Sequence, residues 1–173
     1  MRTAGILMPI TSLPSPYGVG TLGQCARDFI QFLHRAGQTY WQILPICPTG
    51  YGDSPYQSFS SYAGNPYMID FDDLKKEGLL QEEEYASISW GDNPARVDYS
   101  LLYSHKFSIL RIACSRISGV LSERFQTFCK EQNVWLNDYA LYMSIKDYYG
   151  GQSWQEWPET LQKREKDSLE AIH

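Results

Sequence analysis

The sequence predicts an α/β fold that begins with a strand, a helix and a second strand and continues as a mostly helical segment. Two observations support this prediction. Short apolar runs at residues 4–10 and 40–44 flank a stretch whose apolar residues recur at helical spacing. Beyond about residue 71, helical periodicity prevails. A strand–helix–strand unit predicts a parallel pair with a right-handed crossover.

The first strand is expected within residues 4–10, an apolar run of strand length, and a turn-rich stretch with two prolines and two glycines follows at residues 11–20. Thr21 and Gln24 have the spacing of a capping box, which predicts that a helix begins there. Gly37 is placed to end that helix. The apolar positions of the helix are Leu22, Ala26, Phe29, Ile30, Leu33 and Ala36.

The second strand should be buried and should be stopped by Pro45, and residues 49–67 are typical of a loop. A short strand is predicted at residues 68–71 and a short helix at residues 73–80. Pro158 suits the first turn of a last helix that runs through Leu169. The helices predicted between these are residues 101–117, 122–131 and 135–149.

Composition excludes several function classes. The 173 residues carry a net charge of −5 with no basic block, which argues against nucleic-acid partners and anionic membrane surfaces. The apolar start is too short to span a membrane and lacks a cleavage site, so we expect a cytoplasmic protein. The four cysteines form no C-x-x-C pair and have no histidine at ligand spacing, which predicts reduced thiols rather than a metal site.

Residues 18–23 match G-x-G-x-x-G, the pattern of dinucleotide-binding loops. Such a loop needs a tight turn from strand to helix, whereas here seven loop residues with two prolines intervene. The second strand also ends without an acidic residue to bind a ribose hydroxyl. We therefore expect the glycines to shape the loop rather than to bind a nucleotide.

The most unusual stretch is residues 48–67, PTGYGDSPYQSFSSYAGNPY, with five Tyr or Phe, four Ser, three Gly and one Asp. A surface loop seldom exposes so many rings, so either a larger body buries them or they line a groove. Rings that stack on sugars and hydroxyls that bond to them would suit a carbohydrate or polyol groove. The pattern alone leaves both interpretations open.

Four segments together resemble successive blocks of the amylomaltase family of 4-α-glucanotransferases. The segments are residues 4–20 (AGILMPITSLPSPYGVG), 40–70 (YWQILPICPTGYGDSPYQSFSSYAGNPYMID), 96–103 (RVDYSLLY) and 135–158 (WLNDYALYMSIKDYYGGQSWQEWP). The resemblance implies a partial (β/α)8 TIM barrel with a mostly helical insertion subdomain. Residues 1–70 would hold the first βα units, including a substrate-binding loop at residues 49–67, and residues 71–173 the insertion.

The family moves α-1,4-glucan segments to an acceptor sugar by a retaining double displacement, with no metal or organic cofactor. The resemblance therefore implies a maltooligosaccharide or another α-1,4-glucan as the partner. By the same resemblance, Ser54 and Tyr56 line the donor subsite, while Tyr51 and Tyr103 hold a second glucan away from the active centre. Asp53 is expected to shape the loop or to accept a substrate hydroxyl, and not to act as the nucleophile.

The family's catalytic carboxylates lie in Arg-x-Asp-His, Glu-Asp-Leu-Gly and Thr-His-Asp-Asn segments, and none of these strings occurs in residues 1–173. We therefore assign no catalytic residue and expect an amino-terminal fragment that is inactive and poorly stable without the rest of the barrel. Two alternatives remain, a non-catalytic glucan-binding module and a fragment of an α-glucosidase, in which water replaces the acceptor sugar.

Overall fold

The computed structural model of the chain describes residues 2–50 and 52–171. This part of the chain is mostly helical with a small parallel sheet, and it divides into two compact units, Met1–Ser122 and Glu123–His173. The strands are β1 (Gly5–Leu7) and β2 (Tyr40–Gln42). The helices are α1 (Gln24–Arg35), α2 (Phe71–Lys76), α3 (Tyr99–Ser115), α4 (Gly119–Glu131), α5 (Asn133–Tyr148), α6 (Glu159–Gln162) and α7 (Lys166–Glu170). Single 3₁₀ turns lie at Ile10–Ser12, Pro66–Met68, Glu82–Glu84 and Trp154–Glu156.

β1 and β2 pair in parallel and are joined through α1, which confirms the predicted strand–helix–strand unit. Ile6 lies opposite Trp41 in the register of the pair. The prediction that the second strand is buried is wrong for this structure, because Tyr40 is 60% exposed. A pair of three-residue strands leaves most of its apolar surface for other elements to cover.

α1 begins two residues later than predicted, at Gln24, and Gly23 at its N-cap supplies no side-chain hydrogen bond. The capping-box prediction is wrong because the Thr21 hydroxyl donates instead to Asp70 Oδ2, at 2.5 Å. The predicted end of the helix is confirmed, since Gly37 has a φ of +69° and its N–H donates to the His34 carbonyl.

The loop between β1 and α1 folds closely upon itself, and its glycines allow this. A Cβ at Gly20 would lie 1.9 Å from the Ile10 carbonyl oxygen, and Gly18 has a φ of +75°. A side chain at position 20 would therefore collide with backbone. The glycines of the G-x-G-x-x-G pattern shape this loop, as the sequence predicted.

α2 begins where a short strand was predicted, because Asp70 caps it. The Asp70 carboxylate accepts hydrogen bonds from the backbone N–H groups of Asp72 and Asp73. The preceding turn, Pro66–Met68, is 3₁₀-helical. The strand predicted at residues 68–71 is therefore wrong, and the helix predicted at residues 73–80 exists but spans Phe71–Lys76.

The core of the first unit forms where α2 and α3 pack with the loops around them. Phe71, Leu80 and Leu102 are almost completely buried there. Lys106 of α3 is fully buried too, and its Nζ donates to the Ile69 carbonyl at 2.7 Å and lies 4.1 Å from the centre of the Phe71 ring. This core fixes α3 beneath the segment that leads out of the loop at residues 49–67.

The second unit has a smaller core around Ile145, Trp157 and Leu161. The prediction of a single last helix that starts at Pro158 is wrong. The helix is divided into α6 and α7, and Arg164 between them has a φ of +58°. No helix within residues 2–50 and 52–171 is both long and apolar enough to cross a membrane. The domain boundary between residues 70 and 71 stays a prediction.

Candidate functional site

The loop at residues 49–67 follows β2, and its first half is closed by its own backbone. Gly50 N–H donates to the Gln57 carbonyl at 2.9 Å, Gln57 N–H to the Ser54 carbonyl at 3.1 Å, and Asp53 N–H to the Gly50 carbonyl at 3.2 Å. These three hydrogen bonds define a compact turn, which we call the tip, residues 50–57. Tyr51 lies outside the described residues.

Two successive residues of the tip have left-handed backbone, Gly52 with a φ of +81° and Asp53 with a φ of +53°. Aspartate tolerates this conformation better than most residues but still takes it at a cost. Its side chain has a partner that lies far away in sequence, because the Tyr103 hydroxyl of α3 donates to Asp53 Oδ1 at 2.5 Å. The tip is thereby tied to α3.

The Tyr103 ring packs against the buried Tyr67 ring, which also contacts two other aromatic rings. The buried Tyr67 ring lies 5.8 Å from the Tyr103 ring, 6.5 Å from Tyr99 and 5.7 Å from Phe107. Burial and the hydrogen bond to Asp53 raise the pKa of Tyr103 to about 12, so its hydroxyl remains a donor at neutral pH. Burial likewise raises the pKa of Tyr67.

Among the described residues of the tip, Tyr56 presents its ring to solvent. Tyr56 is 73% exposed, while its backbone N–H donates to the Ser54 hydroxyl at 3.4 Å. The serines further along are used by the loop itself. Ser58 Oγ accepts from the Ser60 N–H, and Ser60 Oγ accepts from the Tyr62 and Ala63 N–H groups. The loop therefore holds its shape through its serines and leaves an aromatic face outside.

A small cavity of about 40 Å³ lies between the tip and the rings that support it. Asp53 and Pro55 of the tip line it together with Tyr67, Tyr99 and residues that follow the two strands, such as Pro45. Thr49 also lines it, and its Oγ1 is buried without a hydrogen-bond partner among the described residues. The tip is thus not fully packed on its support.

The acidic groups here do not form an acid–base pair. Asp53 is the one acidic residue of the segment at residues 49–67, and its carboxylate accepts the Tyr103 hydroxyl. Cleavage of a glycosidic bond takes two carboxyl groups on opposite sides of that bond. In the described ranges, 2–50 and 52–171, no group of three or more His, Cys, Asp or Glu residues could hold a metal ion.

A sequence model of one protein family, described as 4-alpha-glucanotransferase, matches residues 8–173 of the chain. The chain belongs to the 4-alpha-glucanotransferase family. It is 48% identical over 172 residues to the 4-alpha-glucanotransferase of Thermus thermophilus. The aligned region covers 97% of this chain and 33% of the relative. It is 43% identical to that of Clostridium butyricum, covering 94% of this chain and 34% of the relative.

The fold agrees with a solved member of the 4-alpha-glucanotransferase family. The amylomaltase of Streptococcus agalactiae, solved in complex with acarbose, superposes with a TM-score of 0.95 at 39% identity. The match covers 99% of this chain and 35% of the amylomaltase chain. The chain thus spans about a third of the length of the relatives it matches.

The structure brings together two of the residues that the sequence singled out, Asp53 and Tyr103. Ser54 and Tyr56 lie beside them on the tip, and both roles expected for Asp53 stay predictions. The contacts of these residues with a sugar stay predictions. Sequence reasoning missed the support by Tyr67 and Tyr99, although Tyr99 and Tyr103 have the i, i+4 spacing that places side chains on one helix face.

Proposed function

We propose that the protein carrying this chain is a 4-alpha-glucanotransferase that cleaves an α-1,4 bond and passes the glucan to a sugar hydroxyl. Membership of the family supports the reaction class. In a retaining double displacement one carboxylate attacks the anomeric carbon while another carboxyl group protonates the leaving oxygen. An acceptor sugar then resolves the glucosyl-enzyme. The substrates are maltooligosaccharides or longer α-1,4-glucans.

We further propose that β1, α1 and β2 are the first units of a (β/α)8 barrel and that residues 71–173 form an insertion into it. The parallel pairing of β1 and β2 supports this interpretation. The apolar surface that the pair leaves exposed, including Leu7 at 55%, supports it as well, because neighbouring strands would cover that surface.

In this proposal the chain supplies sugar-binding groups and not the cleaving ones. Tyr56 is a stacking platform and Ser54 a hydroxyl partner at the donor subsite, and the rings of Tyr51 and Tyr103 hold a second glucan. The observation that carries the proposal is the 73% exposure of Tyr56 on a tip that is closed by its own hydrogen bonds and tied to α3. An aromatic face held rigidly in solvent suits a sugar ring.

The reaction is tested by incubating the complete protein with maltotriose. A transferase produces glucose together with maltodextrins longer than maltotriose. An α-glucosidase produces glucose and maltose with no longer product, and a glucan-binding module produces neither. The 173-residue chain assayed alone is expected to yield no products, because the three carboxylate-bearing strings of the family are absent from it.

The role of Tyr56 is tested by Tyr56→Ala with Tyr148→Ala as a matched control. Tyr148 is 74% exposed and lies in α5, outside the loop. Loss of ring stacking should weaken maltoheptaose binding in Tyr56→Ala by about tenfold, the scale of an aromatic contact. Isothermal titration measures both variants. An equal loss of affinity in the two would exclude Tyr56 as a specific sugar contact.

A further inference from the structure

We infer that Asp53 and Tyr103 are a positioning pair, in which the Tyr103 hydroxyl sets the conformation of the tip instead of bonding to a sugar. The inference rests on the proposed function, since it assigns roles within the sugar-binding loop. The inference concerns the hydroxyl of Tyr103, which donates to Asp53, and leaves the rest of this half-exposed residue free for other contacts.

The backbone of the tip requires such a partner. Asp53 follows Gly52 in left-handed conformation, and a non-glycine residue at that position is held there only when its surroundings compensate. Asp53 N–H donates to the Gly50 carbonyl, so the left-handed backbone is part of the closed turn. The direction of the chain into Ser54 and Tyr56 follows directly from this conformation.

The hydrogen bond from Tyr103 supplies that compensation. Its donor belongs to a 17-residue helix, and the ring beneath the hydroxyl packs at 5.8 Å against Tyr67, which is 5% exposed. A donor mounted on a packed helix is fixed in space, whereas an exposed loop is not. The bond to a carboxylate is also charge-assisted, which makes it stronger than one between neutral groups.

Donation of a hydrogen bond from the Tyr103 hydroxyl to a sugar would compete with this bond. The hydroxyl has one proton to donate, and Asp53 Oδ1 accepts it at 2.5 Å. Tyr103 as a residue is 50% exposed, so part of its side chain remains in contact with solvent. The two roles of Tyr103 are therefore separable by removing the hydroxyl alone.

The test compares backbone hydrogen exchange over residues 50–60 in the complete protein, by mass spectrometry, for wild type, Tyr103→Phe, Asp53→Gly and the double variant. Tyr103→Phe should speed exchange of this segment about tenfold, because a charge-assisted bond is lost. In the Asp53→Gly background the same substitution should change nothing, since glycine adopts positive φ without help. Asp53→Asn should retain slow exchange because its amide oxygen still accepts.

Tyr148→Phe serves as the control for loss of an exposed tyrosine hydroxyl and should leave the segment unchanged. The inference is overturned if Tyr103→Phe leaves exchange at the wild-type rate, or if it speeds exchange equally in the Asp53→Gly background. These outcomes need no glucan, so they decide the inference independently of the proposed function.

Titration with maltoheptaose then separates positioning from direct contact. Tyr103→Phe should weaken binding about fivefold when residue 53 is aspartate and should have no effect when residue 53 is glycine. Weaker binding in both backgrounds would show that the hydroxyl contacts the sugar and would overturn the inference. If wild type itself does not bind maltoheptaose, the proposed function fails while the exchange result still stands.

Discussion

Lys106 is fully buried, which is rare for a lysine, and it should make the stability of the fold depend on pH. Burial lowers its pKa from 10.5 to about 7, and the nearby Asp70 opposes that change. Between these two values the unfolded chain binds a proton that the folded chain does not. Raising the pH from 7 towards 10.5 should therefore stabilise the fold.

Comparison with Lys106→Met isolates this effect, because methionine has a similar shape and no charge. The free energy of unfolding of wild type relative to Lys106→Met should rise between pH 7 and pH 10, by at most about 4 kcal/mol at roughly 1.4 kcal/mol per pH unit. Urea denaturation at pH 6, 8 and 10 measures it. Parallel pH profiles for the two proteins would contradict the assignment.

Single residues of the tip were identified from the sequence, but their partners were not. Asp53 and Tyr103 were both singled out. The amino-acid sequence does not indicate, however, that the Tyr103 hydroxyl donates to the Asp53 carboxylate 50 positions away. The same limit explains Thr21, whose spacing to Gln24 predicted a local cap while Asp70 accepts its hydrogen bond. Such pairs depend on tertiary packing, which local sequence does not contain.

The loop between β1 and α1 is closely packed, and the backbone around Gly20 leaves no space for a side chain. A Cβ there would lie 1.9 Å from the Ile10 carbonyl oxygen and 2.9 Å from the Leu13 backbone N. Gly20→Ala should therefore destabilise the fold by at least about 2 kcal/mol, as overpacking against backbone does. Thermal or urea unfolding measures the loss.

Gly64→Ala is the matched control for this substitution. A Cβ at Gly64 would meet no atom within 4 Å, and its φ is not in the positive range. Stability should stay within about 0.5 kcal/mol of wild type, as for most exposed substitutions. Equal losses in the two glycine variants would show that the loop relaxes around the added methyl group.

Helices and strands could be predicted well where the hydrophobic periodicity is strong. They were predicted poorly where a single capping residue determines the local structure. α3 and α5 lie within two residues of their predicted bounds at each end, and the parallel strand pair was predicted correctly. The segment at residues 68–71 is apolar like a strand, but Asp70 turns it into the start of α2. A cap that acts over three residues outweighs a short apolar run.

On the scale of the whole molecule, the strand pair and the residues after it leave apolar surface exposed. Tyr40, Ile43 and Ile46 are 60%, 39% and 40% exposed, an unusual amount for apolar residues in and after a strand. If further barrel strands pair with β2, as proposed, the backbone at residues 40–46 should exchange hydrogen much more slowly in the complete protein than in the isolated chain.

Exchange at residues 24–35 supplies the internal reference, because α1 hydrogen-bonds within itself in both cases. Equal exchange at residues 40–46 in the two samples would contradict the barrel proposal. The sequence could predict a barrel only through the family resemblance, because the described residues form two strands and a barrel needs eight.

The hydrogen bond between Tyr103 and Asp53 has a consequence for the order of events during synthesis. Residue 53 leaves the ribosome long before residue 103, so the tip has no partner until α3 has been made and has folded onto Tyr67. The conformation of the tip is thus completed by a helix that begins more than 40 residues later in the chain. Maturation of this surface is therefore a late step, timed by translation of a segment that lies outside the loop.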